Sequence, residues 1–269
     1  MHLPDTPTLL TALSQGVLAV GINRPEARNA MNEQVVTDLI AIFSHLRERQ
    51  DVRAVVLRGV GGTFCAGGDI RDFAQVRQRP AAPGSDPIAR FNRRFGEMLE
   101  LVNSAPQATV AVVEGAVLGG GFGLACVADV TIALHDASFG MPETGLGIVP
   151  AQIAPFVVER IGLSQARRLA VCGARFDGAE ALRLGLAHFS EGDVAALEQR
   201  LAGVLRQIKR CAPRANAATK QIVLAVGHQP LSQVLDEAAR LFSIALAGEE
   251  AAEGTRAFIE KRHPAWSDA

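Results

Sequence analysis

The stretch "EGAVLGGGFGLACVADV", Glu114–Val130, carries five glycines, and its only charged residues, Glu114 and Asp129, lie at its two ends. So much backbone freedom in so apolar a segment points to a close approach of bare backbone to something. "TVAVVEG" (109–115) leads into it as a buried strand that stops at glycine, and helical sequence follows the glycine run. The same grammar occurs once earlier. "RAVVLRG" (53–59) reads as a short buried strand and "VGGTFCAGGDI" (60–70) as a turn-rich loop, with a helix expected from Ile70. The first turn of a helix has unpaired N–H groups and a partial positive charge, and glycines let a ligand reach them. Two such junctions are therefore present, at Cys65–Asp69 and Leu118–Gly123. Neither is followed by Gly-Lys-Ser/Thr, and "GGGFG" lacks the GxGxxG spacing, so nucleotide phosphate is disfavoured at both. Two readings remain. Either two N–H groups converge on one developing oxyanion, where losing a donor typically costs ~100- to 1000-fold in rate, or the glycines only permit tight helix packing.

Outward from these junctions, residues 8–13 and 17–23 read as strands joined around Ser14–Gly16. Asn32 is a candidate cap for a helix through about Arg49, with Val35, Val36, Leu39, Ile40, Phe43 and Leu46 at helical spacing. Residues 80–87, "PAAPGSDP", read as a mobile loop, 88–103 as a helix, and "VTIAL" (130–134) as a strand. After Pro150 the pattern is almost wholly helical, with Asp177 and Glu180 at capping-box spacing. A mixed α/β portion, residues 1–192, thus precedes a helical appendage, 193–269, of the kind that packs on a neighbouring subunit.

The whole chain has 269 residues, 48% hydrophobic and 20% charged, with a net charge of −1, so no global field recruits nucleic acid or an anionic membrane. The four cysteines form no CxxC pair or Cys/His cluster, and their apolar neighbours predict buried free thiols in a reducing compartment. The 14 uncharged residues between Glu114 and Asp129 fall short of the roughly 20 that a membrane span needs. No signal-peptide pattern opens the sequence. The expectation is a soluble, cytoplasmic protein that binds neither nucleic acid nor membrane, with no metal site.

A candidate acid–base sits in "SFGMPETGLGIVPAQIAPF" (138–156). Glu143 is the lone charge there, and burial among Phe139, Met141, Leu146 and Ile148 would raise its pKa into a useful range. A helix cap or an exposed loop glutamate is the alternative. Asp69 and Asp129 read as structural, and Ser85 and Ser138 lack a G-x-S-x-G context.

Six segments in order, "GINRPEARNAM" (21–31), "FCAGGDI" (64–70), Glu114–Val130, "FGMPETGLGIVP" (139–150), "FDGAEALRLGLAH" (176–188) and "AFIEKRHPAW" (257–266), resemble the crotonase superfamily, the enoyl-CoA hydratases and isomerases. The resemblance covers nearly the whole chain. It implies an α/β fold, a crotonase-type spiral of ββα units with a C-terminal helical trimerisation region, and a homotrimer or dimer of trimers. It implies an acyl-CoA substrate, with CoA arriving as part of that substrate and no separate cofactor. By position, the oxyanion donors would be the N–H groups of Ala66 and Gly120, with Glu143 as acid–base. Arg28 and the loop Gly68, Asp69 and Ile70 would hold CoA, and Phe258 and Lys261 would complete a neighbour's CoA site.

One departure matters. Two-acid hydratases carry a second Glu where this chain has Gly123. Together with "PAQIAP" (150–155), this looks most like the bacterial isohexenylglutaconyl-CoA and 3-methylglutaconyl-CoA hydratases of terpene and leucine catabolism. Hydration of such a branched 2-enoyl-CoA is the leading expectation, with volume freed at Gly123 for the substrate. Alternatives are a single-Glu Δ3,Δ2-enoyl-CoA isomerase, a CoA thioesterase or decarboxylase, and a non-catalytic binding protein. A distal substrate carboxylate would need a partner, and Arg71, Arg90, Arg93, Arg94 and Gln152 are all candidates.

Overall fold

In the computed structural model, which describes residues 3–80 and 84–267, the chain opens with an antiparallel hairpin of β1 (Leu9–Ser14) and β2 (Val17–Ile22). Gln15 and Gly16 both have positive φ, as a two-residue hairpin turn demands. Helix α1 (Glu33–Leu46) follows, its N-terminus capped by the Asn32 side chain, which accepts from Val35 N–H at 2.9 Å. Next come β3 (Ala54–Gly59), α2 (Ile70–Val76) and α3 (Pro87–Asn103). Of the loop expected at 80–87, residues 81–83 lie outside the described residues, and α3 begins already at Pro87, capped by Asp86.

Strands β4 (Ala108–Val113) and β5 (Ala116–Leu118) lead into α4 (Gly120–Val127). After β6 (Val130–Leu134) and β7 (Ser138–Gly140), α5 (Ala154–Cys172) is broken by a kink at Gly162. Then β8 (Arg175–Phe176), α6 (Gly178–Arg183) and β9 (Phe189–Glu191) close the mixed portion. The expectation of an almost wholly helical chain after Pro150 is thus corrected by β8 and β9. Two or three residues cannot display an alternation, so these strands exist through their partners β7 and β6. At α6, Asp177 accepts from Glu180 N–H, but the Glu180 carboxylate turns to Arg183, so only half of the capping box forms.

Six strands form one sheet in the order β1-β2-β3-β4-β6-β9, parallel from β2 onward, and β5-β7-β8 form a second. Alternate residues of the central strands serve two cores. Val55, Leu57, Ala111, Val113 and Ala133 join α1, α3 and α4 on one side. On the other, Val56, Val110, Val112 and Ile132 meet Leu197, Leu201 and Val204 of α7 (Val194–Arg210). Burial of both faces explains why these strands read as continuous apolar runs. Phe122 of α4 meets Phe139 and Phe176 edge-on, while those two rings stack at 5.5 Å, which seats α4 on the small sheet.

The last helices, α8 (Pro213–Ala225), α9 (Leu231–Leu246) and α10 (Glu249–Ile259), bury little: Val234 and Ala257 are their only buried hydrophobic residues among those described. Val223, Leu231, Leu235, Phe242 and Ile244 are exposed. The region is tied to the sheet by Lys220, which reaches Asp129 at 2.8 Å, and by Arg53, which donates to the carbonyls of Lys209, Cys211 and Trp266. Cys65 and Cys126 are buried as expected. Cys172 and Cys211 are exposed instead, because they fall at the outer ends of α5 and α7. No described helix is long and apolar enough to cross a membrane.

Candidate active site

The two strand–glycine–helix junctions lie side by side. Cys65 N–H donates to Ala116 O at 2.8 Å and Leu118 N–H donates back to Cys65 O at 2.9 Å. The first loop is also clamped from its other side, by Met31 N–H to Gly67 O and Asp69 N–H to Met31 O. In this arrangement Gly68 N–H faces away from Met31 and has no hydrogen-bond partner among the described residues. Gly120 is the first residue of α4, so its N–H has no intrahelical acceptor, and it has none elsewhere among the described residues. Both glycines line one cavity of about 560 Å³.

Gly119, the residue that turns the chain into α4, has φ +48 and ψ −114, a conformation natural only to glycine. A Cβ there would also stand 2.8 Å from Glu143 Oε1, so the missing side chain lets the carboxylate lie against the helix entrance. Glu143 itself begins a single 3-10 turn, Glu143–Leu146, directly after Pro142. Its Oε2 is buried with no hydrogen-bond partner among the described residues. Burial pushes its carboxyl above the ordinary glutamate range, with its own backbone N–H pulling weakly the other way.

The rest of the wall is largely apolar. Phe73 and Val76 of α2, Ile88, Phe91 and Phe95 of α3, and Ile148 to Ile153 line it. Phe95 closes on Gly120, where a Cβ would meet its ring at 3.1 Å. Among polar groups, Gln152 Nε2 donates to Asn92 Oδ1 at 2.9 Å.

The space at Gly123 is not free for substrate, which corrects the sequence expectation. A Cβ there would meet Ile153 Cγ2 at 2.3 Å and Ile153 Cβ at 2.9 Å. Ile153 is 3% exposed and occupies the volume an acid would need. Glu143 is therefore the one carboxylate in the apolar part of the cavity among the described residues. The other two in its wall are Glu33, paired with Arg79, and Asp86, which caps α3.

The donor assignment to Ala66 also requires correction. Ala66 N–H is committed to Arg28 O at 3.1 Å and does not face the cavity, whereas Gly68 N–H, two residues on, is the unpaired one. Ala66 sits where the chain's pairing with the Arg28 loop consumes its N–H, a long-range contact that no local spacing announces. Asp69 caps α2 through Arg71 N–H and pairs with Arg24 at 3.0 Å, the structural part read for it. Ile70 is exposed at the start of α2. Arg28, in a left-handed conformation, is exposed on the outer side of the same loop. Phe258, 85% exposed, and Lys261 lie in and just after α10 and do not line the cavity of their own chain.

Known proteins match this architecture along its length. A family model described as "Enoyl-CoA hydratase/isomerase" matches residues 12–269. The solved structure of Pseudomonas aeruginosa AtuE superposes with a TM-score of 0.92 at 58% identity, covering 97% of this chain and 99% of that one. An enoyl-CoA hydratase/isomerase from Marinobacter aquaeolei superposes with a TM-score of 0.94 at 50% identity, over 97% of this chain and 99% of that one. A probable enoyl-CoA hydratase of Mycobacterium bovis is 34% identical over 96% of each chain. The fold is of the crotonase type that the six segments implied. With unpaired N–H groups from both junctions beside one buried carboxylate, and with these matches spanning nearly every residue, the chain belongs to the enoyl-CoA hydratase/isomerase family.

Proposed function

We propose that the protein adds water across the double bond of a 2-enoyl-CoA thioester. The observation that carries this reading is the Glu143 carboxyl, whose Oε2 is buried and unpartnered among the described residues, beside the unpaired N–H groups of Gly68 and Gly120. Those two donors would hold the thioester oxygen as it gains enolate charge, in a setting where few water molecules compete. Glu143 would hold the water and take its proton as hydroxide adds at C3. The same carboxyl, now protonated, would return a proton to C2. One carboxylate serves both carbons from one face, so the chemistry needs neither a second acid nor a metal or redox group.

The finer reading is a branched glutaconyl-type substrate, isohexenylglutaconyl-CoA or 3-methylglutaconyl-CoA. It rests on the sequence likeness at Gly123 and at 150–155, and the apolar lining and volume of about 560 Å³ of the cavity suit a branched chain. Arg28 and the 68–70 loop would lie along CoA. The unburied apolar faces of α8–α10 support a homotrimer or a pair of trimers, in which Phe258 and Lys261 would reach a neighbour's CoA.

A second reading has its own support. Ile153 closes the position of a second acid, which suits a single-base proton shuttle from C2 to C4 of a 3-enoyl-CoA. The deciding experiment supplies purified protein with 3-methylglutaconyl-CoA, crotonyl-CoA and a 3-enoyl-CoA, and reads product masses. Gain of one water on a 2-enoyl thioester is expected. A product of unchanged mass from the 3-enoyl-CoA alone would overturn hydration in favour of isomerisation.

A further inference from the structure

We propose that Arg94 is the receptor for a carboxylate carried at the far end of the acyl chain. This rests on the acyl-CoA reading above. Of the four arginines that the sequence leaves as candidates, Arg94 alone lines the main cavity, and the other arginine in that lining, Arg77, is exposed just after α2. Arg93 is paired with Glu100 at 2.8 Å, Arg71 is exposed on α2, and Arg90 borders only a side hollow.

Arg94 is half-buried, yet it has no carboxylate within ion-pair distance among the described residues. Its one hydrogen bond there is a long one, 3.3 Å, to Thr37 Oγ1 of α1. The nearest acid in the wall, Glu33, is committed to Arg79 at 2.5 Å. Hydrogen bonding from Arg79, with the charges of Arg79 and Arg94 adding to it, holds the Glu33 carboxyl below its ordinary value, so that acid stays ionised and still leaves a surplus of positive charge.

The surplus is localised. Arg94 stands between the main cavity and a neighbouring hollow of about 430 Å³, whose described lining includes Arg79, Arg90 and Arg94 against Glu33 alone. A guanidinium half-removed from water, which shares the charge of Glu33 with Arg79 and has no carboxylate bonded to it among the described residues, favours an incoming anion, and it offers a carboxylate two parallel N–H donors. Phe95, the next residue along α3, packs on Gly120, and Arg94 lines the same cavity as Phe95, Gly120 and Glu143. The hydrogen-bonded amides of Asn92 and Gln152 add neutral donors nearby.

The test compares 3-methylglutaconyl-CoA with 3-methylcrotonyl-CoA, which lacks the carboxylate but keeps the branch. Both dissociation constants and kcat/KM are measured for the parent, Arg94→Gln and Arg94→Lys, with free CoA as a third ligand. The parent should prefer the carboxylated thioester. In Arg94→Gln that preference should fall roughly 10- to 100-fold, the range of one charge-assisted hydrogen-bonded contact, with partial recovery in Arg94→Lys. No preference in the parent, or an unchanged preference in Arg94→Gln, would overturn the proposal. Equal weakening of both thioesters and of free CoA would also overturn it, since Arg94 would then be reading a CoA phosphate. If no thioester is hydrated, the hydratase reading fails by itself, and the binding preference still decides the role of Arg94.

Discussion

Adding one methyl group at Gly123 tests how tightly the acid-free position is closed. The new Cβ would lie 2.3 Å from Ile153 Cγ2 and 2.9 Å from Ile153 Cβ, where carbon atoms rest at about 3.5–4.0 Å. Rotating the isoleucine moves Cγ2 but leaves its Cβ in place, so the side chain cannot swing clear. Overpacking of this kind costs about 1–3 kcal/mol, and the stiff, branched neighbour argues for the upper end. Against this, alanine gains about 1 kcal/mol over glycine within a helix. Gly123→Ala should therefore lose about 2 kcal/mol. Ile153→Ala alone should lose about 2–5 kcal/mol through the void it leaves. In the double variant the two changes relieve each other, and it should be more stable than the sum by at least ~1 kcal/mol. Urea unfolding followed by far-UV circular dichroism, at one fixed protein concentration, gives all three values. A Gly123→Ala protein as stable as the parent, or strict additivity in the double variant, would refute the packing argument.

Glu143→Gln keeps the shape of the side chain and removes its basicity. Turnover of 2-enoyl-CoA should fall by about 10²- to 10⁴-fold while thioester binding, measured by calorimetry, persists; undiminished turnover would remove Glu143 from the chemistry. Burial raises the Glu143 pKa above 4.5, and its ionised form is the base, so kcat/KM should rise with pH through a midpoint above that value. The same shift has a stability consequence of definite sign. The folded state holds this proton more tightly than the unfolded chain, so stability should fall as pH rises from the ordinary value through the raised one. Chemical denaturation of the parent and of Glu143→Gln across that window should show the parent losing stability relative to the variant as pH rises. Gly120→Pro deletes one donor at the first position of a helix, where proline is tolerated. It should lower kcat by about 10²- to 10³-fold, beyond any loss of stability from its ring pressing on Phe95, which urea unfolding reads separately; full activity would place the oxyanion donors elsewhere.

What could be read from the sequence follows from the range of the forces involved. Helix α1 was legible because its apolar spacing and the Asn32 cap are local. The central strands were legible because both of their faces are buried, which makes them continuous Val-rich runs. Strands β8 and β9 were not, because their identity lies in the partners they pair with. At the site, the glycine junctions and Glu143 stood out by composition alone. The choice between Ala66 and Gly68 did not, since it depends on a hydrogen bond to Arg28, 38 positions earlier. Likewise, the filling of Gly123 by Ile153 and the singling out of Arg94 follow from how α3, α4 and the approach to α5 pack together. Those contacts have no local signature.

Helix α4 also has a far end. Its eight residues span about 12 Å and include no charged side chain. At that end, Arg160 of α5 donates to the carbonyls of Cys126 and Ala128 from a largely buried position. The approach to α5 supplies Ile153 as well, pressed against Gly123 near the middle of α4. Helix α5 and the residue before it thus hold α4 at two points, its middle and its C-terminal end. The aim of the Gly120 N–H is therefore set by how a helix without a charged side chain is packed, and not by any charge that helix carries.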